Sequence, residues 1–324
     1  MAQIKDKVQN ALDETRILIL GSQVLLGFQF RSAFETGFEK LPEHAQYLKF
    51  GGLGLMLIAI GLLMAPGPYH QLVENGEDTS RMHRFTSLMA MLALLPFAFG
   101  FGIDVFVAAE KLMGGALGIL AGLLMTLMAL FFWYGIEAIC KAEHEPEAIE
   151  RQEMDKQQSQ KKNGGTKIKD KIRHVLTEAR VVLPGAQTLL GFQFSIFLME
   201  SFDKLPDSSR YIHFASLAMV ALSIVLLMTP AAYHRIVERG EETEHFHRFA
   251  SRVLLAAMVP LALGLSGDFF LVARKVTDSA PLAAALGLVL LALFYGLWFG
   301  YTAYRRSQRE QEQPWHAEHQ EAAD

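Results

Sequence analysis

Cysteine is nearly absent from this chain. Cys140 is the only one in 324 residues, which excludes an intramolecular disulfide. A phosphate-cradling glycine loop, a nucleophile elbow and an HExxH pair are missing too. Charge is missing from whole stretches: Leu53 to Ala65, Leu88 to Ile103 and Gly114 to Trp133 hold no charged residue. Runs of about 20 apolar residues match a hydrocarbon core of ~30 Å. The length alone allows two soluble domains. But 51% of the residues are hydrophobic, and they come in blocks rather than in alternation. The chain reads as a multipass, all-helical membrane protein. Its net charge of −4 says little, and the basic residues near the membrane ends need no nucleic acid to explain them.

What is present is a repeat. Leu25-Leu26-Gly27-Phe28-Gln29-Phe30 returns unchanged as Leu189-Leu190-Gly191-Phe192-Gln193-Phe194, 164 residues later. Ile4-Lys5-Asp6-Lys7 returns as Ile168-Lys169-Asp170-Lys171, and His83-Arg84-Phe85 as His247-Arg248-Phe249. From Ile4 to Leu112 there are 46 identities in 109 ungapped positions. The chain is a tandem duplication.

Taken in order, residues 3–16 place Ile4, Val8, Ala11 and Leu12 at helical spacing. This predicts either an amphipathic helix on the membrane surface or a solvated entry to the first span. No apolar core precedes a cleavage site, so no cleaved signal peptide is expected. Four spans follow, near Ile17–Phe34, Tyr47–Ala65, Phe85–Val107 and Gly114–Ile139. Pro66 is expected to end the second, leaving Gly67 to Arg84 as a polar loop. The second copy gives spans near Val181–Met199, Tyr211–Thr229, Phe249–Ala273 and Pro281–Tyr304, with its last connection shifted by a few residues. The expected layout is a first repeat over 1–140, a polar linker over 141–165, a second repeat over 166–304 and a polar tail over 305–324.

Eight spans in two four-helix repeats, an even number each, make the copies parallel, related by a pseudo-twofold axis along the membrane normal. Gly27 and Gly191 are then expected on equivalent inner faces. Both termini, the linker and the loops at 66–84 and 230–248 fall on one side, which, counting Arg252, holds 22 of the 30 basic residues. The positive-inside rule makes that side cytoplasmic, in an inner (plasma) membrane.

Few side chains suggest chemistry. Pro96 and Pro260 fall near mid-span, where each frees a carbonyl and kinks its helix. Such a break lines a transport path or simply packs. Gln23, Gln29, Gln187 and Gln193 lie in the first span of each copy, to bond between helices or to line a polar route. Asp104 and Asp268 sit near the far interface, where Arg31, Lys111 or a headgroup is the expected partner. The cytoplasmic loops carry the sharpest signal: His70, Glu74, His83 and Arg84, answered by His234, Glu238, His247 and Arg248. The two copies differ freely between Leu53 and Ile60, yet across Pro66 to Arg84 they share Pro, Tyr, His, Val, Glu, Gly, Glu, Thr, His and Arg. Something specific holds these loops, with Glu74 and Glu238 as expected histidine partners. Imidazoles there can meet a metal, a proton or lipid phosphate, or be hydrogen-bonded interfacial side chains. The spacing matches no metal motif, so metal and cofactor are unknown. No span carries a mid-depth histidine of the kind that ligates haem.

Each repeat resembles a bacterial four-span membrane family of unknown function, DUF6328. The resemblance rests on Glu14-x-Arg16, Gly21-x-Gln23, Gly27-Phe28, Phe38, Tyr47, Ala65-Pro66 and His70. In the second copy it rests on Glu178-x-Arg180, Gly185-x-Gln187, Gly191-Phe192, Phe202, Tyr211, Pro230 and His234-Arg235. The family's His-Arg after the second span is His70-Gln71 in the first copy. The resemblance implies two four-span modules without assigned chemistry. The expected protein is a non-enzymatic membrane scaffold or accessory protein. The alternative is a small-solute or ion transporter with its path between the repeats. The expected partners are the lipid bilayer and, as a further candidate, a second copy of the chain.

Overall fold

A computed structural model describes residues 4–135, 168–236 and 243–309. The linker, Cys140, Glu238 and the tail beyond residue 309 lie outside the described residues. All regular structure among the described residues is helical.

The first copy opens with α1 (Ile4–Ser32), one continuous helix of 29 residues. The amphipathic segment is the start of this helix, and its Val8, Ala11 and Leu12 are buried. A single-turn helix α2 (Thr36–Glu39) leads to α3 (Glu43–Met64). Pro66 does not end the helical run, contrary to the sequence expectation. Ala65 keeps helical geometry and α4 (Pro66–Leu72) begins at once. Proline suits a first helical position, where its missing N–H breaks no bond. His70 therefore sits on a helix, not in a loop.

Next come α5 (Ser80–Met113), which runs unbroken through Pro96, and α6 (Gly115–Leu130), which closes in a π-helical turn at Phe131–Gly135. The second copy repeats this plan as α7 (Ile168–Ile196), α8 (Glu200–Asp203), α9 (Asp207–Ile236), α10 (Glu244–Thr277) and α11 (Ala280–Tyr295). Its own π turn, Gly296–Gly300, lies near the end of the last helix, which stays helical to residue 309. α5 and α10 end 164 residues apart (277 − 113), but α6 and α11 start 165 apart (280 − 115). The shift in the last connection is thus one residue.

Six helical stretches among the described residues are long and apolar enough to cross a membrane: Glu43–Leu72, Ser80–Met113, Gly115–Gly135, Asp207–Ala231, Glu244–Thr277 and Ala280–Arg309. The chain is a multipass membrane protein. α1 and α7 are less apolar because of where they sit. They pack on each other at the centre, flanked by α3 and α5 on one side and α9 and α10 on the other. Helices shielded by neighbours need less apolar surface. Beyond Glu14, the exposed side chains of α1 are Ile17, Leu20 and Phe28.

α6 is the opposite case. It meets α5 through Gly118, Gly122 and Thr126, one residue per turn on one face, and Gly102 of α5 makes room for Thr126. Small residues bring two membrane helices close enough for dense packing. Its other face exposes Leu117, Leu120, Leu124 and Leu127, an apolar surface that suits lipid. One hydrophobic core runs through both copies, from Leu26 and Ile60 to Leu261, Phe294 and Trp298.

Candidate functional site

Two polar layers sit at opposite ends of the bundle. Lys49 and His70 mark them, 21 residues apart along α3 and α4, or about 30 Å at 1.5 Å per residue.

At the His70 end the first copy reaches into the second. The Nδ1 of His70 lies 2.9 Å from Oε1 of Glu178 on α7, and both side chains are buried. A carboxylate only accepts, so the proton belongs on Nδ1. Gln71 donates to the other Glu178 oxygen at 3.0 Å, and its own carbonyl accepts from Ser251 on α10 at 2.7 Å. Gln71 stands where the second copy has Arg235, and here it bridges two helices of the other copy. Around this core, His174 approaches Asp78 at 3.5 Å and Lys171 pairs with Glu77 at 2.5 Å. Glu74 is buried and pairs with Arg309 at 3.1 Å. The expected His70–Glu74 pairing is therefore replaced by His70–Glu178 and Glu74–Arg309. His70 faces α7 while Glu74 faces the end of the last helix.

The loop residues common to both copies find local reasons. Thr79 and Thr243 cap α5 and α10, accepting from the amides of Met82 and Phe246. Such a cap satisfies one of the free amides of a helix start. Tyr69 stacks on Phe85 with centroids 4.1 Å apart, and Tyr233 lies 4.2 Å from Phe249. Gly76 has φ +76°, a left-handed conformation that favours glycine, and a Cβ there would come within 3.0 Å of His247 Nε2. His247 is buried beneath this turn, with neither ring nitrogen hydrogen-bonded among the described residues. His83 is half-buried, while Arg84 and Arg248 are exposed. The side chain of His234 lies outside what is described. Among the described residues, no three His, Cys, Asp or Glu groups come close enough to hold a metal.

At the other end each copy builds the same triad. Gln29 donates to Asp104 at 2.6 Å, and Lys49 pairs with the second oxygen at 3.0 Å. Gln193 donates to Asp268 at 2.5 Å, and His213 lies 3.1 Å from the second oxygen. His213 stands 164 residues after Lys49, so the third partner changed while the geometry stayed. The expected partners of Asp104, Arg31 and Lys111, do not hold it. Arg31 pairs with Glu35 at 3.1 Å instead. Between the copies, Lys275 reaches Glu39 at 3.2 Å and Lys204 approaches it at 3.8 Å. The Lys275 hydrogen bond, against a smaller opposing effect of burial, holds the Glu39 carboxyl below its ordinary value of 4.5.

Along the α1–α7 contact the pseudo-symmetry fails. Gly27 lies against Phe192, but Gly191 is open, contrary to the expectation of equivalent faces. Gly185 makes room for Gln23, which is fully buried, while Gln187 is exposed and Gly21 has open space beside it. Pro260 is buried and Pro96 half-buried. The glutamines and prolines thus fall into different surroundings: Gln29 and Gln193 in the triads, Gln23 at the seam, Gln187 outside.

The sequence offered two signals for what it did not reveal. Glu178 repeats Glu14, and Gln and Asp recur together at one offset. Comparison with known proteins matches a family of unknown function, DUF6328, over residues 2–137 and again over 165–302. No curated protein and no solved structure matches. The chain belongs to the DUF6328 family, whose module it carries twice.

Proposed function

We propose that the chain is a non-enzymatic membrane scaffold or accessory protein, built from two parallel four-helix repeats with eight spans in all. The repeats cover 1–140 and 166–304, joined by a cytoplasmic linker over 141–165, with both termini cytoplasmic in the plasma membrane. The length of α1 and α7 supports counting them as spans: 29 residues reach about 44 Å, beyond a core of ~30 Å. The exposed Ile17, Leu20 and Phe28 of α1 also need lipid.

One observation carries the scaffold reading. The polar side chains of the loops and spans are turned on one another across the seam: His70 and Gln71 on Glu178, Glu74 on Arg309, Glu39 on Lys275. They hold helices together. On the cytoplasmic face, His70, Glu74, His83 and His247 form a supporting layer, and the exposed Arg84 and Arg248 are placed to meet headgroups or a partner.

The test is a graded series at His70, Asp104, Asp268 and Glu178, scored for membrane abundance and for the phenotype of the gene deletion. Phenotype should track abundance throughout. A variant that is abundant, correctly inserted and inactive would sink the scaffold reading. For topology, single cysteines in a Cys140→Ser background should resist an impermeant thiol reagent in the linker and tail, and react at Thr36. Free labelling of the tail would overturn the orientation.

A further inference from the structure

The seam between the repeats is not filled throughout. Near the His70 end a cavity of about 50 Å³ lies between α1, α3 and α4 of the first copy and α7, α9 and α10 of the second. Ile19, Val182, Leu227, Ala257 and Leu261 give it apolar walls, and Arg16 lines it beside them. The wall on α10 extends from Leu254 to Leu261, about 10 Å along the helix. A cavity of about 50 Å³ with such walls has room for a few methylene groups of one alkyl chain.

The polar side chains of the lining decide what the chain must carry. Thr15 donates to the carbonyl of Ala11 at 2.8 Å, and Ser223 to that of Ala257 at 2.8 Å. Glu178 has both oxygens engaged by His70 and Gln71. Arg16 differs. Its Nη1 bonds Asp13, but its Nη2 is buried without a hydrogen-bond partner, in a residue only 9% exposed. A buried guanidinium nitrogen calls for an acceptor, best an anionic one. Water is a poor occupant of a slot with such walls, since a buried water needs several polar partners.

We infer that this cavity binds one anionic amphiphile, with part of its alkyl chain between the repeats and its phosphate or carboxylate on Arg16. Depth fits as well. Arg16 lies one helical turn below the exposed Asp13, at the polar end of the bundle, where a headgroup sits. A lipid phosphate and a fatty carboxylate share this chemistry.

The test uses the full chain purified in an uncharged detergent. Dioctanoyl phosphatidylglycerol, oleate and dioctanoyl phosphatidylcholine are each titrated, and retained probe is counted by native mass spectrometry. One phosphatidylglycerol or one oleate should be retained per chain, at least tenfold more tightly than phosphatidylcholine. Retention of the first alone would make the headgroup a phosphate, and of the second alone a carboxylate. Arg16→Gln should lower that affinity about tenfold, and Arg16→Lys should restore most of it. Ala257→Phe, which fills the slot and leaves Arg16 in place, should abolish retention. If Arg16→Gln does not accumulate, Ala257→Phe decides alone. Equal retention of the zwitterionic probe, or unchanged binding in Ala257→Phe, would overturn the inference.

Discussion

Replacing Glu178 with alanine is the sharpest perturbation of the seam. Glu178 is a buried acceptor for two donors of the other copy, His70 Nδ1 and Gln71 Nε2. Removing it leaves both without an acceptor and without water. A buried polar group deprived of its partner costs about 1–3 kcal/mol, so Glu178→Ala should cost roughly 2–6 kcal/mol in all. That is a large part of a typical stability of about 5–15 kcal/mol. The duplication supplies the control. Glu14 occupies the same position in the first copy but is exposed, so Glu14→Ala should stay within about 0.5 kcal/mol. The assay is the thermal midpoint of the purified protein in one detergent, with monodispersity read alongside. A double-mutant cycle with His70→Ala separates the pair from the packing and should return about 0.5–3 kcal/mol of coupling. Equal shifts for the Glu178 and Glu14 variants, or a coupling of zero, would refute the lock.

Other outcomes follow from the same geometry. Asp268→Asn should destabilise more than Asp104→Asn, because the side-chain exposures are 7% and 28% and a broken buried pair costs about 3–5 kcal/mol; equal thermal shifts would deny the difference in burial. The Glu39 carboxyl is depressed, so its contribution is present above the ordinary value of 4.5 and fades as pH falls through its lower folded value. A pH series of thermal midpoints should therefore lose a small acid-side component in Glu39→Gln, small because the side chain is 40% exposed. Gly185→Ala would drive a methyl group into Gln23 and should cost about 1–3 kcal/mol, whereas Gly21→Ala has open space and should gain up to about 1 kcal/mol in helix propensity. Midpoints moving the same way in both would show that the copies meet symmetrically.

Six of the expected spans were legible because lipid demands long apolar blocks, and the duplication was legible as identity at a fixed offset. The helix through Pro66 was not, since a proline ends one helix or begins the next with the same residue. The partner of His70 lies 108 residues away on a helix of the other copy, and no local pattern points to it. Gln29 and Asp104 are 75 apart, as are Gln193 and Asp268. Their joint recurrence was the available hint. Replacement of Lys49 by His213 hid the third member, because identity alone does not show that both offer a nitrogen to a carboxylate.

Fusion explains why matched residues have unmatched surroundings. Two separate modules meeting about a true twofold axis would have to place each residue in both roles at once, so a glutamate could not be buried in one copy and exposed in the other. Joined in one chain, the copies are free to diverge. Glu178 is the buried acceptor and Glu14 is in the open; Gly185 yields to Gln23 while Gly21 faces open space. The divergence is greatest at the His70 end and least at the Asp104 end, where both triads persist. Asp104 and Asp268 each bind helices of their own copy, so their geometry is set within the module and survives any shift between modules. His70 and Gln71 bind across the seam, and there the second copy is the partner rather than the replica.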